Sequence, residues 1–382
     1  MLLQLAAAGT LAVWFYLLLF RGGFWREFRH PAPPPCPRPD PSPNAARVVA
    51  VVPARDEAEV VGHAIASLAA QNIAGYFHII LVDDHSTDGT AAAAQAAASP
   101  DILTVVRAEP LPAGWTGKLW AVAEGVRHAA GHHPDYLLLT DADIVHAPGN
   151  AAALAARAQA GNYDLVSYMA TLACHTPAER ALVPAFVFFF FLLCPPAWIR
   201  SACRSTAGAA GGCMLIRRQA LEAIGGVAAI RGRLIDDCAL ARAVKLSGGR
   251  VWLGLSETTH SIRPYRTFAE VGRMISRSAF TELDHSTLLL AGTVAGLVFT
   301  YLAPPLLTLF APQPAAGMGA LAWLMMSICY LPALRFYGRG WFAAPLLPLV
   351  AVFYMWATVH SAVSYWRGSG GQWKGRVQDA GT

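Results

Sequence analysis

The sequence predicts an α/β domain, a mostly parallel sheet with flanking helices, joined to a set of transmembrane helices. Three observations carry that expectation. Between residues 45 and 285, short continuous apolar runs alternate with helix-length stretches, the pattern of strands buried on both faces. The chain is 55% hydrophobic and only 14% charged, against about 25% charged in an ordinary soluble domain. The deficit is concentrated: residues 2–20, 181–199, 286–311, 317–334 and 341–359 carry no charge, and a bilayer core takes roughly 20 apolar residues to cross.

Residues 1–21 read as an N-terminal transmembrane anchor. The run lacks the basic start and small-residue cleavage site of a signal peptide. Arg21, Arg26 and Arg29 follow it, so the positive-inside rule turns the following domain to the cytoplasm. Residues 22–44 read as a basic and Pro-rich linker: 31–43 hold eight prolines in thirteen positions, a stiff spacer unable to join a helix or sheet. The α/β domain spans 45–265. Its expected strands are 47–52, 78–82, 102–106 and 136–140, and its expected helices 57–72, 89–98, 118–130 and 149–160.

In 266–285, Arg266, Arg273 and Arg277 fall near one helical face and Phe268, Val271 and Ile275 near another. That is an amphipathic interfacial helix, or an ordinary packed helix with a solvated basic face. Residues 286–363 hold about three hydrophobic segments. Pro304–Pro305 interrupts the first, which reads as re-entrant or hairpin-like. A polar tail, 364–382, ends the chain. The net charge of +5 gathers near the membrane-adjacent segments and fits anionic headgroups better than nucleic acid. Seven scattered cysteines without a CxxC argue against a disulfide framework or a zinc site.

The chemistry gathers at strand exits. "PARDE" follows the first strand with Pro53, Ala54, Arg55, Asp56 and Glu57; "DDHSTDGT" follows the second with Asp83, Asp84 and Asp88; "DAD" follows the fourth with Asp141 and Asp143. In parallel α/β sheets, ligands bind outside the carboxyl ends of the strands. Asp56 and Asp88 read as helix caps. The close pairs Asp83/Asp84 and Asp141/Asp143 need more, because adjacent carboxylates repel unless something neutralises them. A hard divalent cation, Mg²⁺ or Mn²⁺, suits oxygen ligands of this kind when phosphate oxygens and water complete its shell. Lys118 opens a helix where it reaches phosphate, orders a loop, or is simply solvated. Gly211 and Gly212 line a turn into a strand, and Asp236 and Asp237 open a helix, one as its cap or as a general base. Neither a P-loop nor a dinucleotide-binding GxGxxG after a strand is present.

Taken in order, "VVPARDE", "LVDDHSTDGT", "GKLWA", "LTDADIV", "GGCMLI" and "IDDCALARAVK" resemble a family 2 glycosyltransferase with the GT-A fold. The nearer resemblance is to the hopene-associated glycosyltransferases of bacterial hopanoid gene clusters, relatives of the ceramide glucosyltransferases. The resemblance implies that Pro53 to Glu57 and Asp84 contact the nucleobase and ribose of a nucleotide-sugar donor, with Asp83 and the Gly211–Gly212 turn beside it. Asp141 would lie near ribose and phosphate and Asp143 would be the principal metal ligand. Asp236–Asp237 would be the catalytic acid pair, with Asp237 the base of an inverting displacement. The family's Q/R-x-x-R-W motif is reduced here to Arg277, which implies a pyrophosphate contact but not a processive enzyme. The expected partners are a nucleotide-sugar, a lipid acceptor and the bacterial inner membrane, with the catalytic domain cytoplasmic and no nucleic acid. The apolar run 183–199 lies between motifs that must share one site, so it is expected to lie at the interface or face the acceptor. The alternatives are transfer to a polyprenyl phosphate or polysaccharide, and a non-catalytic membrane protein retaining a nucleotide-binding fold.

Overall fold

The computed structural model describes residues 1–29, 46–373 and 376–377; the proline run 31–43 and, of the expected polar tail, 374–375 and 378–382 lie outside them. The elements in order are α1 (Leu2–Leu19), β1 (Val48–Ala54), α2 (Ala58–Ala69), β2 (Phe77–Asp83), α3 (Thr90–Ala97), β3 (Leu103–Arg107), α4 (Gly117–Ala129), β4 (Tyr136–Thr140), β5 (Ile144–His146), α5 (Asn150–Gly161) and β6 (Leu165–Thr171). Next come α6 (Pro177–Leu193), α7 (Pro196–Arg200), β7 (Cys213–Arg217), α8 (Arg218–Ala223), α9 (Asp236–Leu246), β8 (Val251–Ser261), α10 (Phe268–Ser276), α11 (Thr287–Leu297), α12 (Ala303–Phe310), α13 (Ala315–Phe336) and α14 (Leu347–Trp366).

Eight strands form one sheet in the order β3-β2-β1-β4-β7-β6-β8-β5. Strands β1 to β4 pair in parallel, as alternating strands and helices require. The second half is mixed: β7 runs antiparallel to both β4 and β6, and β5 antiparallel to β8. Every residue of β1 is buried, because helices cover both faces. Val48, Ala50 and Val52 pack toward α2 and α5. Val49 and Val51 pack toward α4. That second face is continuous with the apolar helices, so the two halves share one core.

Part of the expected linker is folded. Phe24–Arg29 is a 3₁₀ helix with Phe24, Trp25 and Phe28 buried. Phe24 stacks edge-on with Phe188, and Phe28 packs on Phe191. The run 183–199 accordingly lies within α6 and α7 and is packed: Phe188 also meets Tyr330 of α13, and Phe189 meets Tyr354 of α14. Burying each such aromatic contributes about 2 kcal/mol.

Among the described residues, five helices are long and apolar enough to cross a membrane: Leu2–Leu19, Pro177–Arg200, Thr287–Phe310, Ala315–Phe336 and Trp341–Trp366. Large apolar side chains such as Leu3, Phe15, Leu288, Phe310, Leu324 and Trp356 point outward from them, a surface that water disfavours. The segment 287–310 does not turn back at its prolines. Pro304 has no N–H for the carbonyl of Thr300, and a π-helical turn, Val298–Leu302, absorbs the mismatch. The Trp14 indole of α1 donates to that Thr300 carbonyl at 2.7 Å, so the break is satisfied between helices.

Gly125 shows how closely α4 lies on the sheet. A Cβ there would stand 2.4 Å from Val51 Cγ1, whereas one at Gly131 would meet nothing within 4 Å. Gly125→Ala should cost about 2 kcal/mol through overpacking, and Gly131→Ala should leave the unfolding midpoint near wild type. Thermal or urea unfolding of the two variants in one detergent checks this.

Candidate active site

Strand register assembles the site. Thr140 pairs with Cys213, which sets Asp141 beside the Gly211–Gly212 turn. Ile144 pairs with Ser261, and Ile262 N–H donates to the Asp143 carbonyl at 2.9 Å. Residues 120 positions apart in sequence thereby meet: Asp143 Oδ2 accepts from Ser261 Oγ at 2.9 Å and from Arg263 Nε at 3.2 Å. Arg263 Nη2 donates to both oxygens of Glu57, each at 2.6 Å. Burial opposes the Arg263 charge, but Asp143 and Glu57 outweigh it and hold its pKa above the usual range.

Lys118 is in the first turn of α4, whose start Thr116 caps by accepting from Leu119 N–H. Its ammonium lies 2.9 Å from Asp141 and 3.1 Å from Asp236, joining α4, the β4 exit and α9. Burial works against that charge, yet the two carboxylates prevail and raise its pKa. For Asp141, burial comes first, and Asp143 and Asp236 add repulsion that Lys118 only partly offsets, so its pKa is raised.

Asp236 does not cap α9; the cap position is Ile235, without a side-chain bond, and both acids occupy the first turn, where the helix dipole favours negative charge. Asp237 Oδ2 accepts from Gly211 N–H at 2.8 Å, and Oδ1 from Cys238 N–H at 2.7 Å. Burial, then the neighbouring Asp236, push its pKa up to about 6 against the pull of Lys118. A Cβ at Gly211 would fall 3.4 Å from Asp237 Oδ2 and 3.5 Å from Lys118 Nζ, in ordinary contact with both groups.

A cavity of about 740 Å³ lies beside these groups, lined among others by Pro53, Glu57, Lys118, Asp141, Asp143 and Asp236; Asp237, the next residue, is held by the Gly211 and Cys238 N–H groups and is not part of the lining. Arg233, Tyr265, Arg273, Arg277, His360 and Ser364 also line it. Tyr265 is held by the start of α6: Glu179 accepts from Tyr265 N–H at 2.6 Å, and Thr176 Oγ1 donates to the Tyr265 carbonyl.

The remaining sequence candidates surround rather than line the cavity. Arg55 donates to the carbonyl of Asp84 at 2.5 Å and lies 3.5 Å from its carboxylate, which is 2% exposed. Ala54 is buried within β1, and Asp83 accepts from Ser86 N–H. A Cβ on Gly212 would meet Ile144. Asp88 is a cap in two directions, accepting from Ala58 N–H of α2 and Thr90 N–H of α3; Asp56 accepts from Thr87 N–H. Arg263, Tyr265 and Ser261 were not singled out in sequence. A polar cluster directly after a long strand is their one local signal.

Among the described residues no group of three or more His, Cys, Asp or Glu forms a self-sufficient metal cage. The carboxylates of Asp141 and Asp143, with their mutual repulsion and an open cavity beside them, still fit a Mg²⁺ or Mn²⁺ whose other ligands come from phosphate and water.

The Lys118 bridge can be measured directly. In a cycle of Lys118→Met, Asp236→Asn and the double variant, the sum of the two single losses of stability should exceed the loss in the double variant by about 1–3 kcal/mol of coupling. Additive losses in denaturant unfolding would show the contact to be energetically idle.

Residues 49–225 match the family model described as glycosyl transferase family 2. No curated protein matches the chain. Among solved structures, the chain is similar to a mannosyltransferase from Pyrobaculum calidifontis in complex with GDP-Man and Mn²⁺. Identity is 21%, the match covers 94% of this chain and 99% of that one, and the TM-score is 0.53. TarS 1–349 of S. aureus, in complex with UDP-GlcNAc, is 14% identical over 88% of this chain and 98% of its own, with a TM-score of 0.41. A glucosyl-3-phosphoglycerate synthase from Mycobacterium tuberculosis, with Mn²⁺, UDP-glucose and glycerol 3-phosphate, is 20% identical over 63% and 79%, with a TM-score of 0.40. The fold is that of the GT-A glycosyltransferases, and residues 49–225 carry the match to glycosyl transferase family 2.

Proposed function

We propose that the protein is a membrane-bound, inverting glycosyltransferase that moves a sugar from a nucleotide-sugar, a UDP-sugar foremost, to the hydroxyl of a lipid. One observation carries this reading: the cavity lined by the strand-exit carboxylates is lined as well by residues of α10 and α14, helices packed in the apolar half. A water-soluble donor and a membrane-held acceptor can therefore meet without either leaving its phase. The five apolar helices favour multi-pass insertion. The arginines after α1 favour a cytoplasmic domain, on the inner membrane if the source is bacterial. A hopanoid acceptor rests on the sequence resemblance.

The roles in this reading are as follows. Asp141 and Asp143 would hold a Mg²⁺ or Mn²⁺, whose charge stabilises a departing diphosphate. Arg277 would add a contact to that diphosphate. Lys118 keeps Asp141 and Asp236 in place, and Arg263 does so for Asp143 and Glu57. Asp237 would take the proton of the acceptor hydroxyl; a pKa of about 6 leaves it ionised at neutral pH yet more basic than an ordinary aspartate. Proton removal coupled to attack from the face opposite the diphosphate inverts the anomeric centre.

A phosphate-bearing lipid acceptor is the second reading. It is favoured by Arg233, Arg273 and Arg277, three cationic side chains that line the same cavity.

The test is nucleoside-diphosphate release by the purified protein from UDP- and GDP-sugars with Mn²⁺ or Mg²⁺. Neutral polyol lipids are compared with lipid phosphates as acceptors. Lipid-dependent release that Asp237→Asn lowers by about 100-fold or more supports the assignment. Because the base must be unprotonated, kcat/KM should be retained above pH 6 and fall as pH drops through about 6, the raised value at Asp237. No release with any donor and lipid would sink the transferase reading.

A further inference from the structure

Beneath the Asp141–Asp143 loop runs a buried hydrogen-bond chain that none of the roles above uses. Thr140 and His146 are each 2% exposed and Asn150 is fully buried. Thr140 Oγ1 lies 2.7 Å from the Gly212 carbonyl and 2.9 Å from His146 Nε2. His146 Nδ1 lies 3.0 Å from Asn150 Nδ2, and Asn150 Oδ1 lies 3.4 Å from Thr258 Oγ1. The chemistry allows one direction. A carbonyl only accepts, so the single Thr140 proton goes to Gly212. Thr140 must then accept from His146 Nε2–H, which leaves Nδ1 as the acceptor for the Asn150 amide, whose oxygen accepts from Thr258. Burial lowers the His146 pKa to about 3, so the ring does not carry a second proton at neutral pH.

The two ends of this chain are the two halves of the proposed chemistry. Thr140 immediately precedes Asp141. Gly212 immediately follows Gly211, whose N–H grips Asp237. We propose that His146 is a positioning residue, fixed as its Nε2–H tautomer, that sets the spacing between the Asp141–Asp143 carboxylates and Asp237. The inference rests on the transferase reading, and concerns residues that touch neither substrate nor metal. Residues that orient metal-holding side chains in this way are typically worth ten- to a hundredfold in affinity or activity.

Two nearly isosteric variants of the full chain test it. Thr140→Val removes the central hydroxyl. Asn150→Asp reverses the chain: a carboxylate accepts from Nδ1–H, so a neutral His146 switches tautomer and Thr140 turns its proton from Gly212 to Nε2. Mn²⁺ affinity in the presence of UDP or GDP, whichever wild type binds more tightly, is read by electron paramagnetic resonance. Nitrogen-15 spectra of labelled histidine read the tautomer. The expected result is a loss of about tenfold or more in Mn²⁺ affinity in both variants, with a tautomer switch in Asn150→Asp and a kcat loss exceeding the change in donor KM. Wild-type affinity and kcat in folded Thr140→Val and Asn150→Asp would overturn the positioning role while leaving the transferase reading intact. A wild-type protein that binds no Mn²⁺–nucleotide would remove the transferase reading first, and this inference with it.

Discussion

The site is organised around a charge imbalance that only long-range contacts resolve. Asp141, Asp143, Asp236 and Glu57 face one cavity, and each would be costly there alone. Lys118 neutralises the first and third; Arg263 neutralises the other two. Each cation spans elements far apart in the chain, so the ion pairs are also the stitches between α4, the β4 exit, α9 and the segment after β8. The balance is incomplete, since Asp141 keeps a raised pKa even beside Lys118. A site left short of positive charge is prepared for a cationic ligand, and a cavity beside it gives such a ligand room.

The apolar half is not an appendage to this site. The buried face of the sheet, the 3₁₀ helix Phe24–Arg29, α6 and α13 form one continuous core. The start of α6 holds the backbone at Tyr265, two residues from Arg263, through Glu179 and Thr176. A shift of the apolar helices relative to the sheet would be felt at Asp143 within a few covalent bonds. That coupling gives a physical reason why the strand-exit carboxylates and the apolar helices share one packed unit.

Small details of packing serve the same end. Gly211 leaves space where Asp237 and Lys118 approach each other. The buried Arg55–Asp84 contact joins the exits of β1 and β2 without entering the cavity. Asp88 ties the starts of α2 and α3 together, which keeps Glu57, at the head of α2, where Arg263 can reach it.

Much of this protein was legible in its sequence alone, wherever local physics decides. Continuous apolar runs marked β1 to β4 within a residue or two of their observed ends, since burial on both faces leaves no alternative pattern. Uncharged runs marked the helices able to cross a membrane, and carboxylates after strands marked the edge where the cavity opens. What only the tertiary structure decided depends on pairing across the chain. No local signal reports that β7 runs antiparallel, that Arg263 meets Asp143, or that Asp236 rather than Asp237 contacts Lys118. Nor could the run 183–199 disclose that its phenylalanines pack on α13 and α14, because an apolar residue satisfies lipid and protein interiors alike. Periodicity encodes which face of an element is buried; register and partner are set by contacts between elements, and those exist only once the chain has folded.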